Sequence, residues 1–180
     1  KSCIAYSATK ELAISTASES RTFVAHFYWR EGSKEMDPLT SAMKSIVAQI
    51  ASQDSAYCNE VATQLACAGS TFSLEKGARY FWKRCITSRF SVDTKARLYL
   101  VLDGLDEVNE TVNAESLFRK ELLVMLKEVV EHKLSIRVML LSRPSWKPYL
   151  ETFGQELSAI TVTKEVVLTD MRIVIDTQLN

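Results

Sequence analysis

Three carboxylates fall within five residues at the end of one apolar run: Asp103, Asp106 and Glu107 in LYLVLDGLDEV, residues 98–108. Like charges this close repel unless a cation or hydrogen-bond donors offset them. A divalent cation that also carries phosphate is the natural client, because Mg2+ takes one or two carboxylates and fills its other positions with phosphate oxygens and water. Gly104, directly after the first acid, leaves room for a ligand or for another stretch of backbone. The same residues also read as an Asp-Gly turn with solvated acids, and the segment by itself leaves both readings open.

A second apolar run, VMLLSRP at 138–144, delivers Ser142 and Arg143 to its end. An arginine there offers a phosphate a fixed fork of donors; a strand that ends at a proline-directed turn with a solvated arginine is the other reading. The third position is Lys1 and Ser2, entering a helix. A phosphate loop ends in Gly-Lys-Ser/Thr and opens directly into a helix. His26 and His132 stand alone and read as core or surface residues, so Ser142 lacks a base that would make it a nucleophile. A metal-dependent phosphohydrolase built on 103–107 would need further acids or histidines at other strand ends, and the sequence supplies none.

Two buried strands must position these groups. Residues 98–102 are apolar without alternation, which predicts a strand covered on both faces, as in a parallel sheet. Residues 138–141 repeat the pattern, and the aromatic and β-branched stretch 23–29 (FVAHFYW) predicts a third strand. A shorter strand is expected at 159–162. Helices are expected at 2–16, from Asp37 and Pro38 onward with Leu39, Met43, Ile46, Val47 and Ile50 as one apolar stripe, at 57–68, 74–87 and 116–132, and at 170–179. Residues 31–35 read as a loop. Strands alternate with helices, so the class is α/β with a mostly parallel sheet, and ligands of such sheets bind at the carboxyl ends of the strands.

Lysine plus arginine equals aspartate plus glutamate, 22 each in 180 residues. That balance argues against a dedicated nucleic-acid or anionic-membrane binder. No apolar run approaches the ~18 residues of a membrane span. Cys3, Cys58, Cys67 and Cys85 show no zinc spacing and are expected to be free buried thiols in a reducing, cytoplasmic setting. There are 5 glycines, where average usage gives roughly a dozen, and no complete Gly-rich phosphate loop is present.

Together the segments are more specific than any one of them. Lys1-Ser2 before a helix, FVAHFYW (23–29), SAMKSIVAQI (41–50), LYLVLDGLDEV (98–108), VMLLSRPSW (138–146) and LTDMRIVIDTQL (168–179) resemble the NACHT domain of the STAND class of P-loop NTPases, in particular fungal NOD-like-receptor proteins. The resemblance implies a three-layer α/β sandwich with strand order 5-1-4-3-2. It also implies that the front of the phosphate loop and the first strand precede residue 1, a NACHT core over 1–165, and the start of a helical region over 166–180.

By the same resemblance, Lys1 reaches the β- and γ-phosphates of ATP or GTP, and Ser2 coordinates Mg2+. Asp103 is the Walker B acid that holds the metal. Asp106 orients the attacking water, with Glu107 as second candidate, and Arg143 reads the γ-phosphate. Such a module is expected to act as a slow, Mg-dependent NTPase switch that self-associates on activation, in a chain that also carries effector and repeat domains. The competing expectation is a degenerate scaffold that keeps the fold but only mediates protein-protein assembly, without hydrolysis.

Overall fold

Residues 98–102 form the middle of a three-stranded, all-parallel sheet in the computed structural model, which describes residues 2–30, 37–67, 77–91, 95–108, 112–156 and 158–160. The strands are β1 (Thr22–Tyr28), β2 (Arg97–Asp103) and β3 (Ile136–Leu141), in the order β1-β2-β3. Ala25 pairs in register with Leu100, which pairs with Val138. The order and sense are those that the 2-3-4 part of the expected arrangement requires. The fold is an α/β sandwich of P-loop type.

β2 lacks alternation because both its faces are covered. Val101 clusters with Ala5, Leu12, Tyr28 and Leu141 on one face. Leu98, Leu100 and Leu102 alternate onto the other and are each at most 2 % exposed. Helix α1 (Ser2–Thr16) packs on β1 and β2. Helix α2 (Pro38–Gln53) starts where Asp37 and Pro38 predict: Asp37 Oδ1 accepts from the Thr40 amide at 2.9 Å, and Pro38 takes the first turn. Its apolar stripe, Leu39, Met43, Ile46, Val47 and Ile50, is buried.

The polar side of α2 closes the free edge of the sheet. Gln49 accepts from the His26 amide (3.0 Å) and donates to the His26 carbonyl (2.8 Å). Gln53 does the same for Val24 at 3.1 and 2.8 Å. Two side-chain amides one helical turn apart thus satisfy the edge groups a further strand would use.

Helix α3 (Ser55–Cys67) follows, and α4 (Ala78–Phe81) continues as a π-helical turn over Trp82–Thr87. The helix expected over 74–87 is therefore split in type, and 74–76 lie outside the described residues. Glu128 of α5 (Val112–Glu131) fastens this segment by accepting from Arg79 Nη2 and Trp82 Nε1, both at 2.7 Å. Cys3 and Cys58 are exposed and Cys85 is buried. The expectation of uniformly buried thiols is corrected: Cys3 and Cys58 fall on the outward sides of α1 and α3.

The chain divides into two compact units, Lys1–Tyr149 and Leu150–Asn180. After β3 come a 3-10 turn, Pro144–Trp146, and the short helix α6 (Lys147–Leu150). In the second unit a 3-10 stretch spans Glu151–Glu156. Residues 158–160 carry no strand, so the strand expected from 159 does not form there; 161 and 162, the expected helix at 170–179, the 31–35 loop and the 166–180 region lie outside the described residues.

Candidate functional site

The carboxyl ends of β2 and β3 converge on one rim. Asp103, the last residue of β2, is 3 % exposed. Alternation places it on the sheet face of Val101, the side that α1 covers. Its carbonyl accepts from the Trp29 amide at 2.9 Å, and the Gly104 amide donates to the Leu141 carbonyl at 3.1 Å, so backbone bonds tie the ends of all three strands. The side chain is less well served: Asp103 Oδ1 is buried and has no hydrogen-bond partner. A buried, unpartnered carboxylate oxygen is costly and fits a site completed by a cation.

Gly104 has φ of +80°. A Cβ there would meet the Trp29 carbonyl oxygen at 2.6 Å. Of the two neighbours that glycine could admit, the structure supplies backbone. The chain then turns, with the Glu107 amide donating to the Gly104 carbonyl at 2.8 Å. Leu105, 2 % exposed, anchors the turn and leaves Asp106 and Glu107 at the rim.

Asp106 is taken up by Arg143. Oδ1 accepts from the Arg143 backbone amide at 2.9 Å, and Oδ2 lies 2.9 Å from Arg143 Nε. The Asp106 side chain is 5 % exposed and that of Arg143 66 %. Arg143 is extended, as the residue before Pro144 must be. Beside the pair is a cleft of about 350 Å³ lined by Leu105, Asp106, Val108, Arg119, Trp146 and Tyr149 among others. The Arg119 guanidinium sits 4.2 Å from the Tyr149 ring centroid. Edge-to-face contacts run from Trp29 to Phe118 to Trp146 to Tyr149. Sequence reasoning missed this support; Trp146 and Tyr149 following the arginine at helical spacing were its only signal.

Of the residues singled out in the sequence, Asp103, Asp106, Glu107 and Arg143 thus come together. Ser2 opens α1, but its side chain, like all of Lys1, lies outside what is described. Neither histidine joins the rim. His26 stacks on Tyr28 with centroids 4.8 Å apart, and burial lowers its pKa; His132 is exposed. Among the described residues no three His, Cys, Asp or Glu side chains form a ready-made metal cage. The donor set suits a cation that brings most of its own ligands, as Mg2+ does with phosphate. No helix among the described residues is long and apolar enough to cross a membrane.

The family model described as Nephrocystin 3, N-terminal, matches residues 1–143, a span that ends on Arg143 itself. No curated protein and no solved structure matches the chain. The matched family is related to the NACHT group that the motifs resemble, without being identical to it. By the extent of that match, the chain belongs to the nephrocystin 3 N-terminal family.

Proposed function

We propose that the chain is the nucleotide-binding part of a NACHT-like P-loop NTPase, a signalling switch that takes Mg2+ with ATP or GTP. The observation that carries this reading is Asp103: a buried carboxylate with an unpartnered oxygen, at the carboxyl end of a central parallel strand, with an arginine at the end of the next strand. In this reading Asp103 and the Ser2 hydroxyl hold the metal. Lys1 reaches the β- and γ-phosphates, Arg143 meets the γ-phosphate, and the Asp106–Glu107 pair supplies the acid that orients water. Bound Mg2+ would supply charge neutralisation on the phosphate oxygens.

The wider role follows the same resemblance: slow hydrolysis, self-association on activation, flanking effector and repeat domains, a cytoplasmic setting and a fungal NOD-like-receptor type of parent. A second reading, a scaffold without hydrolysis, draws support from the closed Asp106–Arg143 pair, in which two of the proposed reacting groups already satisfy each other.

The test is Mg2+-dependent binding of ATP and GTP by the full-length protein. Binding that is lost on Asp103→Ala supports the nucleotide reading. Binding without turnover leaves a switch worked by binding alone, and no binding of either nucleotide overturns the switch and selects the scaffold.

A further inference from the structure

Asp106 and Arg143 are 37 residues apart in sequence and close on each other twice. The two bonds do different things. The one to the backbone amide fixes where the chain leaves β3. The one to Nε fixes the direction in which the guanidinium leaves that chain. The carboxylate is nearly inaccessible, whereas the arginine is two-thirds exposed. An acid that orients an attacking water must have that water within hydrogen-bond reach. Asp106 has both oxygens committed and almost no open surface. Glu107, the next residue, is half-buried at the same rim, and a Cβ on Gly104 would lie 3.6 Å from its carboxyl carbon.

We infer that Asp106 is a positioning residue: it holds Arg143 in place to receive a phosphate, and Glu107 is the acid left to orient water. The inference rests on the nucleotide reading above and divides a role which that reading leaves shared. The Asp106 carboxylate presets the guanidinium, so that binding of a terminal phosphate does not have to order a long side chain first.

The experiment uses the full-length protein with Asp106→Asn, Glu107→Gln and Arg143→Ala, together with Asp106→Asn combined with Arg143→Ala. Asparagine keeps an acceptor for the Arg143 amide but loses the ion pair. Asp106→Asn should weaken equilibrium binding of Mg-ATP about tenfold, roughly 1.4 kcal/mol, and leave ADP within about twofold, because the arginine serves the terminal phosphate. In hydrolysis it should raise KM and change kcat less than about threefold, whereas Glu107→Gln should lower kcat by about 100-fold or more. In the Arg143→Ala background Asp106→Asn should add nothing. If Asp106→Asn fails to fold, Arg143→Lys reads the same contact from its exposed partner, and the same loss of ATP over ADP is expected. A 100-fold loss of kcat from Asp106→Asn in both backgrounds, additive effects on ATP binding, or an Arg143→Lys variant that binds ATP normally would overturn the positioning role while sparing the nucleotide reading. A wild-type protein that binds no nucleotide overturns the nucleotide reading itself, and this assignment with it.

Discussion

Gly104 faces the carbonyl oxygen of Trp29 at a distance that excludes any side chain: a β-carbon would stand 2.6 Å from it. The contact arises because the Trp29 amide bonds to the Asp103 carbonyl, drawing the chain after β1 across the end of β2. With φ of +80° as well, alanine at 104 meets both backbone strain and a clash with backbone that cannot rotate away. Gly104→Ala should cost about 1–3 kcal/mol. Denaturant unfolding checks it; an alanine variant as stable as the parent would show that the end of β1 yields easily.

Asp103 predicts two effects of opposite sign. Its buried oxygen lacks a partner, so relieving the charge should not harm the metal-free fold. Asp103→Asn is expected to unfold at the same or a higher temperature without ligand and, on the proposed nucleotide reading, to lose the stabilisation that Mg-nucleotide would confer on the parent. Stability measured with and without Mg-ATP separates the two, and a marked loss of stability in the metal-free variant would mean that the carboxylate has a structural partner.

Replacing Gln49 and Gln53 together by alanine removes four hydrogen bonds from the Val24 and His26 backbone. Individual bonds of this kind contribute about 0.5–1.5 kcal/mol net. The double variant should lose about 2 kcal/mol or more, and should associate as concentration rises, because the bared edge can pair with another strand. Light scattering over a dilution series reads the association; a variant that associates no more than the parent would show that the flanking helices α1 and α2 shield the edge without the amides.

Glu128 ties stability to pH. Burial pushes its carboxyl up, but hydrogen bonds from Arg79 and Trp82 and the charges of Arg79 and Lys83 outweigh that and hold it below its ordinary value. A depressed carboxylate contributes stability above its unfolded-state pKa, about 4.3, and that contribution disappears as pH falls through the folded value. Glu128→Gln imitates the protonated acid. The parent should exceed it by about 1 kcal/mol near neutrality, with the gap closing below about pH 4. A gap that stays constant from pH 7 to pH 3 would remove the carboxylate charge from the explanation.

The elements that were plain in the sequence are those whose cause is local. Asp37 and Pro38 announced α2 because a cap and a fixed φ act within one turn. The unbroken apolar run at 98–102 announced a two-sided strand because burial on both faces leaves no polar position. Asp103, Asp106, Glu107 and Arg143 were legible as polar residues delivered to the ends of apolar strands. That Asp106 spends its charge on Arg143 was not, since a contact across 37 residues leaves no spacing to read. Gln49 and Gln53 looked like ordinary residues of a solvated helix face, because nothing in a helical pattern tells an amide facing water from one facing backbone. The apolar residues near 159–162 looked like a strand, yet 159 and 160 form none; a short apolar run does not by itself specify a strand.

The ties among the strand ends bear on how fast the rim could respond to a ligand. Trp29 to Asp103, Gly104 to Leu141 and Glu107 to Gly104 are backbone bonds, so bending the floor of the site means breaking main-chain pairs, an event of microseconds or longer. Arg143, with most of its side chain in solvent but its Nε on Asp106, needs only that ion pair to open before its side chain turns, and side-chain rotation itself takes nanoseconds or less. The site therefore combines a slow floor with a lightly tethered arm, and arrival of an anion would be registered first at the preset guanidinium and only afterwards by movement of the sheet.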